Sequence, residues 1–137
     1  MITKSPLATE KIAKEVAAKI KNGGVVCLFG DLGSGKTTFT KGIAEYFGID
    51  KFSIKSPTYT YIRQYPNKNN RIYHIDLYRL EVIDELLWQE IKELMTNKNN
   101  ILIIEWADKM EDYLPGNRID VHFKYLDENS REITIDL

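Results

Sequence analysis

Gly30-Asp31-Leu32-Gly33-Ser34-Gly35-Lys36-Thr37 fits the pattern G-x-x-x-x-G-K-T. Glycines at those positions let successive backbone N–H groups turn inward around phosphate oxygens, so Asp31, Gly33, Ser34 and Gly35 are expected to cradle the anion. Lys36 is expected to bridge the β- and γ-phosphates, the Thr37 hydroxyl to bind magnesium, and Thr38 to reach the α-phosphate. Such a set of fixed positions arises by chance in roughly one in a few hundred chains of this length. Here it also follows an apolar run and opens a helical pattern, the context that the chemistry requires.

Two acids stand where such a loop needs them. Ile101 to Ile104 lead straight into Glu105, and Ile72 to Ile75 lead into Asp76. A carboxylate at the C-terminal end of a buried strand can hold a metal or orient an attacking water, and phosphoryl transfer asks mostly for positioning and charge neutralisation. Lys36, Asp76 and Glu105 are the expected catalytic set, and the spacing leaves open which acid holds the metal. His74 shares a strand face with Asp76 and could donate toward the site, although a packed core histidine is the plainer reading. Trp106 either lines the nucleotide pocket or simply packs. Arg79 has the chemistry for a phosphate contact, but an arginine after a strand is usually a surface residue. Ser56, Pro57 and Thr58 place two hydroxyls around a proline, either a plain turn or a switch that senses the γ-phosphate.

These groups need elements to hold them. Ile12, Ala13, Val16, Ala17 and Ile20 recur at helical spacing and predict a helix over Thr9 to Lys21, stopped by Asn22-Gly23-Gly24. Val25 to Phe29 reads as a strand buried on both faces, which points to a parallel sheet. A helix is expected over Thr37 to Phe47, and another over Glu81 to Met95 from the spacing of Val82, Leu86, Leu87, Ile91 and Leu94. Further strands are expected at Thr58 to Tyr65, Ile72 to Asp76, Ile101 to Glu105, Ile119 to Tyr125 and Glu132 to Asp136, the last two as an antiparallel hairpin. The sum is an α/β fold of the P-loop NTPase kind, a mostly parallel mixed sheet flanked by helices.

A length of 137 residues suits one domain spanning 1–137, and 43% apolar with 28% charged residues suits a soluble protein. The formal net charge of −1 gives no overall pull toward nucleic acid, so any contact with RNA or DNA would need a local patch or a partner. The one cysteine, Cys27, lies in an apolar run and reads as a buried thiol. Neither a signal peptide nor a membrane-spanning run is present, and the cytoplasm is the expected address.

GDLGSGKTTFTKG at Gly30 to Gly42, KSPTYT at Lys55 to Thr60, YHIDLYRL at Tyr73 to Leu80 and IIEW at Ile103 to Trp106 together resemble the bacterial TsaE family. The resemblance runs from about Thr9 to Pro115. It implies an ATPase, using ATP and Mg2+, that serves synthesis of threonylcarbamoyladenosine beside the anticodon of tRNA without transferring the carbamoyl group itself. It further implies docking on paired TsaD and TsaB proteins, with hydrolysis resetting the complex between turnovers. Carried over by position, Thr37 and Glu105 become the magnesium ligands, Asp76 a catalytic or metal-linked acid, and Ser56 to Thr58 the switch. Thr9 matches a position near the nucleotide base. Ser34 stands where alanine is frequent, a small departure because the backbone does the binding there.

Three rivals have distinct signatures. A small-molecule kinase carries an arginine lid, whereas Arg63, Arg71, Arg79 and Arg118 are scattered over different elements. A GTP-dependent switch carries N-K-x-D, and neither Asn67-Lys68-Asn69-Asn70 nor Asn97-Lys98-Asn99-Asn100 supplies the aspartate. A non-hydrolysing adaptor that uses ATP only to fix its shape differs from an ATPase in phosphate release alone.

Overall fold

The Ser5 side chain accepts a hydrogen bond from the Ala8 N–H at 3.1 Å, and Pro6 occupies the first turn, so helix α1 starts earlier than its apolar spacing suggests and spans Pro6–Lys19. In a computed structural model, residues 1–31, 33–50, 54, 61–66 and 71–137 are described; the expected switch at Ser56 to Thr58 lies outside them. Strand β1 (Ile2–Thr3) precedes α1, and β2 (Gly24–Phe29) follows it. Gly35, left-handed with φ 110°, then starts helix α2 (Lys36–Tyr46). Strands β3 (Ile62–Pro66) and β4 (Arg71–Asp76), helix α3 (Glu85–Thr96), β5 (Ile101–Glu105), a 3₁₀ segment (Ala107–Tyr113), β6 (Ile119–Tyr125) and β7 (Arg131–Asp136) complete the order.

The seven strands lie in the order β1-β7-β6-β2-β5-β4-β3. β6, β2, β5 and β4 run parallel in the middle, and antiparallel neighbours close both sides: β3 on β4, and β7 with β1 beyond β6. The expected α/β fold with its C-terminal hairpin is therefore present. Parallel strands end on one edge, so Phe29, Asp76 and Glu105 finish side by side, where sheets of this class bind ligands.

Strand alternation divides the core in two. Ile101 and Ile103 of β5 join Val26, Leu28, Phe39, Ile43 and Val16 beneath α1 and α2, while Leu102 and Ile104 join Cys27, Ile75, Leu87 and Ile91 beneath α3. Burial on both faces is why β5 is a continuous apolar run. α1 and α2 cross closely at Gly42, where an added Cβ would lie 2.7 Å from the Ala13 Cβ and from the Glu10 carbonyl oxygen.

Three local expectations are corrected. The third helix begins at Glu85 rather than Glu81, because the Asp84 carboxylate caps it by accepting from Leu87 N–H at 2.7 Å. Val82 then precedes the helix and Leu86 faces outward, 78% and 83% exposed. Of the strand expected over Thr58 to Tyr65, Thr58 to Thr60 lie outside the described residues, Tyr61 is left-handed with φ 59°, and β3 begins at Ile62. The 3₁₀ segment and the two-residue β1 are too short to carry a periodic signal.

Candidate functional site

The left-handed turn at Gly35 swings the chain from the phosphate loop into α2, which aims the helix's first N–H groups and its positive dipole end into a cleft of about 360 Å3. Gly33, Ser34, Gly35, Lys36, Thr37 and Thr38 line one side of it; Asp76, Glu105 and Trp106 line the other. The volume lies in the range of small-ligand sites.

Lys36 is 5% exposed. Its ammonium donates to the carbonyl oxygens of Gly30 and, at 2.9 Å, of Asp31, and lies 4.0 Å from the Trp106 ring centroid. Burial pushes its pKa below the usual lysine value, while the carboxylates of Glu105, Asp76, Asp31 and Asp108 pull it back up. An anion entering the cleft would satisfy that buried cation directly.

Glu105 is 2% exposed and spans two groups. One oxygen accepts from the Thr37 hydroxyl at 3.4 Å, and the other meets Nε2 of His74. Register explains both contacts. Asp76 pairs with Glu105 and His74 with Ile103, so His74, Asp76 and Glu105 share the sheet face that α2 covers. Asp76 accepts from the Tyr78 N–H at 3.0 Å, and its own N–H donates to the Tyr61 carbonyl at 2.9 Å. Among the described residues no group of three His, Cys, Asp or Glu side chains cages a metal. What converges is a hydroxyl and two carboxylates, a hard-oxygen set that fits a small divalent cation taking its remaining ligands from phosphate and water.

Trp106 is also left-handed, with φ 59°, and this reversal directly after Glu105 folds its ring over Lys36 and against Tyr78, 5.0 Å between centroids. It lines the cleft, as does Arg79. Thr9 is buried, shares a 2.8 Å hydrogen bond with Thr3, and lines a smaller pocket beside the cleft together with Ser5, Gly35 and Thr38. Asp31 is exposed and offers the site its carbonyl oxygen rather than a place on the cleft wall.

Arg131 was not anticipated. From β7 it reaches back to donate to the Gly33 carbonyl at 3.2 Å, holds the Asp127 carbonyl at 2.6 Å, and lines both pockets. No local motif marks it, since 98 positions separate it from Gly33. Tyr61 and Tyr78 also line the cleft without a sequence signal.

Residues 3–133 match the family model described as "Threonylcarbamoyl adenosine biosynthesis protein TsaE". The chain is 42% identical over 132 residues to the tRNA threonylcarbamoyladenosine biosynthesis protein TsaE of Bacillus subtilis, covering 96% of this chain and 81% of that relative. It is 38% identical to the protein of the same name from Rickettsia bellii, over 95% and 89% of the two chains. A crystal structure of B. subtilis YdiB superposes with a TM-score of 0.73 at 37% identity, covering 98% of this chain and 82% of that one.

Proposed function

This chain belongs to the TsaE family, and we propose that it is a magnesium-dependent ATPase serving the synthesis of threonylcarbamoyladenosine in tRNA. The observation that carries the reading is the meeting of the Thr37 hydroxyl and the Glu105 carboxylate at the start of the helix that the phosphate loop opens. That pairing supports the reading because hard oxygens beside a phosphate loop suit the divalent cation that accompanies a nucleotide.

Each residue has a part. Backbone N–H groups from Gly33 to Thr38 bind phosphate oxygens, and Lys36 gives up its carbonyl partners to bridge the β- and γ-phosphates. Thr37 and Glu105 hold the cation, which when bound neutralises charge on the transferring phosphoryl group. Asp76, beside Glu105 on the neighbouring strand, orients the attacking water. Trp106, backed by Tyr78, covers the lysine and keeps bulk water from it. Thr9 and the smaller pocket lie on the side open to the base. Ser56 to Thr58 act as the switch that reports the triphosphate state.

The chain works in the cytoplasm on paired TsaD and TsaB homologues, meets tRNA only through that complex, and resets it by hydrolysis. Among the described residues no helix is long and apolar enough to cross a membrane. The test is phosphate release from ATP with and without the partner pair. Lys36→Ala and Glu105→Ala should each lower it about 10²-fold or more while both proteins stay folded. Unchanged turnover in either variant rejects the ATPase, and a phosphorylated acceptor in place of free phosphate would make the chain a kinase.

A further inference from the structure

His74 is fully buried on β4, on the same sheet face as Ile72 of its own strand and Ile103 of the next. An imidazole there removes two polar nitrogens from water, a cost that an apolar residue of similar size would avoid. Only one nitrogen is compensated. Nε2 meets a carboxylate oxygen of Glu105, whereas Nδ1 has no hydrogen-bond partner among the described residues. A carboxylate can only accept, so Nε2 is the donor in that contact. The ring thus makes a single polar contact, and that contact fixes one oxygen of Glu105 while the other faces Thr37.

We infer that His74 is a positioning residue: it locks the Glu105 carboxylate in the orientation that presents its outer oxygen to the cation accompanying the nucleotide. This rests on Glu105 being a ligand of that cation, as proposed above. A free glutamate at a strand end samples several rotamers, and each would offer the cation a different oxygen or none. Hydrogen bonds behind a metal-ligating side chain typically contribute about 10- to 100-fold to metal affinity.

Two replacements separate positioning from packing. His74→Gln can place an amide N–H close to the Nε2 position, while His74→Leu fills the space without a donor. ADP binding is measured by calorimetry with magnesium and with a chelator, and the ratio of the two affinities is compared. The wild-type protein should bind more tightly with magnesium. His74→Leu should lose roughly tenfold or more of that gain, His74→Gln should keep most of it, and all three should bind alike in chelator because the phosphate loop is untouched. An undiminished gain in His74→Leu overturns the inference, and so does an equal loss in both variants, which would mean packing alone. If the wild-type chain itself shows no gain with magnesium, the cation reading of Glu105 falls and takes this inference with it.

A second measurement does not depend on either variant folding. The chain has two histidines, so 15N-histidine NMR of the wild-type protein can be assigned by replacing the exposed His122. His74 should show a proton on Nε2, with the Nε2 resonance shifting when magnesium is added to the ADP complex. A proton on Nδ1 alone, or a resonance that ignores magnesium, overturns the assignment.

Discussion

The ammonium of Lys36 lies 4.0 Å from the centroid of the Trp106 ring, so the first residue of α2 and the residue that follows β5 are in contact across the cleft. A bound triphosphate would draw the ammonium away from the indole. Trp106 fluorescence should therefore change on ATP binding. Trp88, the other tryptophan, stacks on Tyr113 instead, so Trp88→Phe should keep the response and Trp106→Phe should abolish it. A response that survives in Trp106→Phe would place the reporter elsewhere.

Burial lowers the Lys36 pKa from its ordinary 10.5, so the fold disfavours the charged form. Between the folded value and 10.5 the unfolded chain binds more protons, and stability rises with pH through that window. Below the folded value both states are protonated and the penalty is fully present. Lys36→Met removes the term, so the stability of wild type relative to Lys36→Met should grow as pH rises toward 10.5, measured by urea unfolding without nucleotide. A parallel pH dependence in the two proteins contradicts this.

Cys27 is wholly buried, and burial, with Asp120 adding to it, pushes its pKa up to about 12. The native thiol should resist a thiol reagent at pH 8 and react at once in denaturant. Above 9.0, the ordinary value, the unfolded chain ionises first, so this residue erodes stability as pH climbs toward about 12. Fast labelling of the native protein would show that the site opens readily.

Gly42 allows α1 and α2 to approach. A Cβ there meets the backbone of Glu10, 2.7 Å from its carbonyl oxygen and 2.8 Å from its Cα, neither of which can rotate away. Gly42→Val should destabilise by about 2 kcal/mol or more, and Gly42→Ala by less because better helix propensity offsets part of the overlap. Denaturant midpoints would check this; an unchanged midpoint means that the helices slide apart freely.

Arg131 bridges the phosphate loop and the β6–β7 turn through the carbonyl oxygens of Gly33 and Asp127. Arg131→Ala should raise the KM for ATP about tenfold, the loss of roughly one hydrogen bond from a charged donor, with a smaller effect on kcat. Arg131→Lys should not restore it, because a point charge lacks the planar fork. A fall in kcat alone would move Arg131 into the chemistry.

The uneven legibility of the site has a physical basis. Gly30 to Thr38 could be read because the loop is contiguous and its chemistry depends on spacing. Glu105 and Asp76 could be read as acids that end apolar strands, but their adjacency depends on β4 pairing with β5, which nothing local in either strand specifies. The same pairing decides His74: alternation gave its face, and only the sheet order gave it Glu105 as a partner. Val82 and Leu86 fitted the helical period of α3, yet the Asp84 cap starts the helix after Val82, and Leu86 within it faces outward. Arg131 arrives from a strand paired at the opposite side of the sheet, and its type alone could not single it out.

The left-handed turn at Trp106 sets durability against service. Bulky side chains tolerate that backbone poorly, at a cost of order 1–3 kcal/mol, and glycine would accept it freely. Glycine at position 106 would relieve that strain and forfeit the indole's packing on Tyr78 and over the Lys36 ammonium, so the strained backbone is what a tryptophan costs at this corner.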